Sequence, residues 1–187
     1  MKKFSILGLM LILSACTVYK LVPAGNVEVG DAYVISVDSS WSKSEFGHMQ
    51  TYTKDGPALG AINVSTGVNE KENLFSGQHA SEPPPYKKDL SLIELQQFIH
   101  DSFVAIGAER IEFTEIRPEG FGKWHGIRAE FDYYTKSGLH KRGIINGAQH
   151  DGKFYYIMYH APALHFFDKY KPDVEKIFQS VRTETDA

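Results

Sequence analysis

Cysteine is almost absent: the 187 residues contain one, Cys16. A single thiol excludes an internal disulfide and a four-thiolate zinc site. An excess of one charge is also missing. The chain has 20 Lys and Arg against 23 Asp and Glu, a net charge of −3, which is no electrostatic footprint for nucleic acid. The apolar run at residues 4–13 falls well short of the ~20 residues that cross a bilayer as a helix. Motifs of common chemistry are missing too. There is no Gly-x-Ser-x-Gly elbow, no Walker loop or dinucleotide fingerprint, and no His-Glu-x-x-His. What is present is a hydrophobic share of 42%. That is too high for a disordered chain, and the length suits one domain with a real core.

The first residues carry an address. Lys2 and Lys3 precede the apolar run, and Ser14 and Ala15 follow it. This pattern is a secretory signal peptide, residues 1–15, which stands outside the fold. Its end, Leu13-Ser14-Ala15-Cys16, resembles the lipobox of bacterial lipoproteins. The resemblance implies cleavage between Ala15 and Cys16 and lipidation of Cys16. A chain carrying two or more acyl groups is held stably on a membrane. Removing residues 1–15 leaves 18 Lys and Arg against 23 Asp and Glu, so the mature charge is −5. Anionic lipid would repel such a domain weakly, and the lipid has to do the holding. Thr17, rather than Asp, follows the cysteine. By resemblance to enterobacterial lipoproteins, this implies the outer membrane, facing the periplasm.

Residues 16–30 read as a lipidated tether, with room for a short strand, and residues 31–183 as one domain before a polar tail at 184–187. Alternation predicts a strand at 33–37. Strands at 48–53 and 58–66 flank the Lys54-Asp55-Gly56-Pro57 turn as a hairpin. Residues 67–90 show no period and form a long loop. Ser91 and Glu94 make a capping box for a helix at 92–106, which Gly107 stops. Strands follow at 109–117, 124–134, 139–149 and 154–160. The strand at 124–134 carries His125, Ile127, Ala129, Phe131 and Tyr133 on one face. Its other face, with Arg128, Glu130 and Asp132, is expected to be wet. The last strand is apolar on both faces, which places it centrally. Pro172 fits the first turn of a closing helix.

These elements predict an α+β fold: a mainly antiparallel sheet of six to seven strands with two amphipathic helices over it. The order of elements over 91–182 resembles that of the PsbP photosystem extrinsic proteins and the Mog nuclear-transport proteins. The resemblance rests on the capped helix, the strand meander and the ending, FYYIMYHAPA then DVEKIFQSV. It implies a binding or assembly module and no catalytic residue. The turn at 53–57 and the helix at 89–103 also resemble those of bacterial envelope proteins.

No constellation argues for catalysis, a metal or a cofactor. The eight histidines, His48, His79, His100, His125, His140, His150, His160 and His165, lack metal-ligand spacing and read as scattered surface or half-buried residues. Arg128, Glu130, Asp132 and Arg142 read as a solvated cross-strand ion-pair ladder. Candidate ligand or partner contacts are His125, at the end of an apolar strand face, and Pro83-Pro84-Pro85-Tyr86, a polyproline II segment suited to docking. The function expected is a lipid-anchored interaction or assembly module with an envelope protein partner. The alternatives are a periplasmic binder of a sugar or peptidoglycan fragment and, third, a hydrolase using His and carboxylate groups.

Overall fold

The computed structural model describes residues 19–77 and 79–183. Ala15, Cys16 and the 184–187 tail lie outside the described residues. The elements in chain order are β1 Lys20–Val22, β2 Gly25–Val29, β3 Tyr33–Val37, β4 Trp41–Phe46, β5 Met49–Thr53, β6 Ala61–Ser65, α1 Leu92–Ala105, β7 Ala108–Phe121, β8 Trp124–Thr135, β9 His140–His150, β10 Lys153–Pro162, α2 Phe166–Gln179 and β11 Arg182–Thr183. Eight strands form one sheet, in the order β1-β4-β5-β6-β10-β9-β8-β7, and β11-β3-β2 form a smaller one.

Local chemistry accounts for the hairpins and the first helix. Asp151 and Gly152 both have positive φ, 48° and 72°, as a type I′ turn between twisted strands requires. The Ser91 side chain accepts the Glu94 N–H, and the Glu94 carboxylate accepts the Ser91 N–H at 2.9 Å. Two otherwise orphaned donors at the start of α1 are thereby satisfied. Gly107 then turns the chain at φ 93°, where a side chain would be strained.

Both faces of the large sheet are covered. On one, α1 and the segment 68–86 bury Leu74, Phe75, Tyr86, Ile99 and Phe103 against Phe131, Ile145 and Tyr156. On the other, α2 and the small sheet bury Ile35, Phe167, Val174 and Ile177 against Ile62, Val64, Ile144 and Ile157. Alternation along each strand feeds these two cores. In β10 both parities are apolar, and the strand lies between β6 and β9.

The expected α+β, PsbP/Mog-like class is therefore corrected to a β-rich fold: among the described residues, an eight-stranded and a three-stranded antiparallel sheet with only two helices of 14 residues. The undetected strands are short, peripheral or polar. β1 has three residues, β11 has two, and β4 reads WSKSEF. Such strands carry too few apolar positions to show a period. Residues 20–29, expected as tether, supply β1 and β2 to the two sheets. Strand β7 also runs through Pro118 to Phe121. It is an edge strand, where a missing N–H can face solvent without breaking a ladder. Pro172 lies inside α2, which starts at Phe166, rather than in its first turn. The loop at 67–90 is packed, not loose: Val68 exchanges backbone hydrogen bonds with Phe154 at 2.9 and 3.0 Å, and Lys71 and Glu72 bond the Tyr86 backbone.

The strand registers define two ends of the large sheet. The β4–β5 turn and the β9–β10 turn sit at one end. At the other sit the β5–β6 and β8–β9 turns, the C-terminus of α1 and the exit from β10. Lys20 pairs with Lys43 and Val22 with Trp41, so the chain enters the sheet from the Phe46 side.

Candidate functional site

A row of polar side chains crosses the α1 face of the sheet. Thr51 comes from β5, Asn63 from β6, His160 from β10, Lys141 from β9 and Tyr133 from β8. They share a face because their paired registers, Thr51 with Asn63 and Tyr133 with Lys141, put each pair on the same side. The Thr51 hydroxyl donates to the Asn63 Oδ1 at 3.2 Å. The Asn63 Nδ2 lies 3.4 Å from His160 Nε2. His160 Nδ1 lies 3.1 Å from the Tyr133 hydroxyl. One order of donors satisfies all three contacts: Thr51 to Asn63, Asn63 to His160 Nε2, and His160 Nδ1–H to Tyr133. In that order the Tyr133 hydroxyl accepts from His160. Gly143, directly opposite His160 on β9, leaves room for the Phe131 ring. A β-carbon there would collide with the Phe131 ring.

The protonation states follow from burial. Burial, and then the charge of Lys141, push the His160 pKa down to about 3, so the imidazole is neutral at physiological pH. Burial pushes the Tyr133 pKa well up and that of Lys141 down. Lys141 is only 7% exposed, and no carboxylate or other acceptor bonds its ammonium among the described residues. The site thus offers an ammonium that bonds no carboxylate among the described residues, close to a phenol hydroxyl that contacts His160. It is suited to an anion or a carbonyl oxygen. It is poorly suited to acid–base chemistry. Both His160 nitrogens are engaged, and a pKa near 3 makes a weak base at neutral pH.

A second buried cation lies on the opposite face. Arg128 is 5% exposed, although its face of β8 is expected to be wet; α2 covers it. Its guanidinium makes two bonds to Glu175 of α2, at 2.8 and 2.6 Å, and one to Glu130 at 2.7 Å. Lys171 reaches Glu130 at 3.5 Å. Of the expected ladder, the Arg128–Glu130 and Asp132–Arg142 pairs are both present, and Asp132 also meets His140; Glu175 and Glu130 bond Arg128. These carboxylates hold the Arg128 pKa above its usual value, and the group ties α2 to the sheet.

The candidate ligand and partner contacts, His125 and Pro83-Pro84-Pro85-Tyr86, join neither cluster. His125 is exposed at the end of β8. Pro83 and Pro84 are half-buried and Pro85 is exposed. Tyr86 is fully buried, stacked on Phe154 at 6.1 Å, with its hydroxyl donating to Gln149 at 3.0 Å. Gln149 also bonds both the N–H and the C=O of Leu90. Tyr86 therefore anchors its loop, and its ring is closed to a partner. Lys141 and Asn63 were missed. One signal was available: Lys141 shares strand parity with Gly143 and Ile145, on the face that packs against α1, whereas a surface lysine would sit on the other. Among the described residues no three His, Cys, Asp or Glu side chains group as metal ligands. No helix among them is long and apolar enough to cross a membrane. No family model and no curated protein matches this chain.

Proposed function

We propose that the protein is a lipid-anchored envelope protein, attached through Cys16 to the outer membrane on its periplasmic side, that works as a non-catalytic interaction or assembly module. The observation that carries this reading is an apolar end to the sheet. Leu164 is 88% exposed after β10, and Leu59, Leu139 and Ile106 are exposed at the same end of the sheet. The backbone bond from Ala163 to His140 continues the β9–β10 pairing toward Leu139 and Leu164. This end lies opposite the side from which β1 enters, so an anchored domain presents it away from its tether. Exposed apolar groups of this kind mark protein contact surfaces. The edges of the sheet are less suited to pairing. β7 has two register irregularities and β1 is three residues long, both features that block strand addition.

The test is a photo-crosslinking amino acid at position 164, with position 112 on β7 as control, in living cells. One discrete adduct from 164 that disappears with Leu139→Asp is expected. Equal adducts from both positions, or none from 164, would overturn the reading. The Lys141 ammonium, which bonds no carboxylate among the described residues, favours a second reading, a binder of a small anionic ligand such as a carboxylate-bearing peptidoglycan fragment.

A further inference from the structure

The start of the fold lies very close to the proposed anchor. Lys20, the first residue of β1, is four positions after Cys16. Fully extended, four residues span about 14 Å. A domain tethered that closely cannot stand clear of the headgroup layer, so part of its surface must face lipid.

The registers say which part. Leu21 pairs with Ser42 across β1 and β4. Side chains alternate along β4, so Ser42, Ser44 and Phe46 project to the same face as Leu21. Leu21 is 74% exposed and Phe46 65%. Between them Ser42 is half-buried and Ser44 is buried, so Leu21 and Phe46 are the side chains of this face that stand out to solvent. Tyr19, just upstream, is exposed as well. The acidic residue of β4, Glu45, has the opposite parity and is bonded to Lys43 at 2.6 Å. No carboxylate of β1 or β4 therefore points toward this patch. The chain enters β1 from the Phe46 side, which puts the patch beside the tether.

We propose that Leu21 and Phe46, flanked by Tyr19, form an apolar seat that rests in the bilayer surface to which Cys16 is anchored. This rests on the lipid-anchor reading. The seat fixes the orientation of the domain and turns the Leu164 end away from the membrane. Two exposed hydrophobic side chains give little binding alone; beside a lipid anchor they act on a domain already at the surface, where effective concentration is high.

Spin labels test this directly, because lipidation consumes the one native thiol. Phe46→Cys, Leu21→Cys and Leu164→Cys are each made in the full lipidated chain, labelled, and placed in vesicles of phosphatidylethanolamine and phosphatidylglycerol. The labels at 46 and 21 are expected to collide several-fold more with oxygen than with a water-soluble nickel chelate. The label at 164 is expected to show the reverse. If 46 and 21 are as accessible to nickel as 164 while the protein stays on the vesicles, the seat is wrong and the anchor stands. If Cys16 itself takes the label and the chain washes off, the anchor reading fails and the seat with it.

Discussion

The two faces of the large sheet each bury one cation, and they treat it in opposite ways. On the α2 face, Arg128 meets Glu175 and Glu130 at hydrogen-bond distance, and its pKa rises. On the α1 face, Lys141 meets no carboxylate, and its pKa falls. A planar guanidinium with five donors can satisfy two carboxylates at once, and this is what holds a helix to a strand. A buried lysine without a partner costs stability. The α2 face is thus a structural joint, although the Arg128 Nε within it has no hydrogen-bond partner among the described residues. The α1 face holds a buried lysine with no carboxylate partner among the described residues, and groups whose pKa is shifted by burial cluster where something binds.

This contrast breaks first at Arg128. Arg128→Ala leaves Glu130 and Glu175 without their main counter-charge under α2. A loss of about 3–5 kcal/mol is expected, read by chemical denaturation. A loss below 1 kcal/mol would mean that the joint contributes nothing.

The next effect is on pH dependence. His160 has a folded pKa of about 3 against an ordinary 6.5. Between those values the unfolded chain binds the proton and the folded one does not, so stability is full above pH 6.5 and declines as the pH falls toward 3. The expected slope is about 1.4 kcal/mol per pH unit within that window. His160→Asn should flatten it. An unchanged slope in the variant would assign acid sensitivity elsewhere.

The smallest expected effect has the opposite sign. Lys141→Met removes an unpartnered buried charge and keeps the stem. A gain of about 1 kcal/mol is expected, where Arg128→Ala gives a loss. The same variant sharpens the ligand reading. Any rise in melting temperature that phosphate or N-acetylmuramic acid produces in the native protein should vanish in Lys141→Met. A variant that destabilises, or that keeps the ligand response, would end the comparison.

Much of the frame was legible before the structure. Ser91 and Glu94 announced α1, Lys54-Asp55-Gly56-Pro57 the hairpin of β5 and β6, and the two-sided FYYIMYHA strand its central place. The failures share a cause. β4 carries two serines, a lysine and a glutamate, and it is a strand because β5 and β1 pair with it on either side. Arg128 alternates like a surface residue, and only α2, 47 residues downstream at Glu175, makes it a buried one. Tyr86 looked like the end of a docking strip and is instead the pin of its loop.

By itself the sequence determined the elements that depend on neighbours a few residues apart: caps, turns, alternation and the Leu13–Cys16 motif. The tertiary structure alone decided the class of the fold, which faces are covered, and which charges are paired. Lys54 bonds Asp173 across 119 positions and Ser36 bonds Ser180 across 144. Contacts that distant have no period to read, because they exist only once the chain has folded over both faces of the sheet.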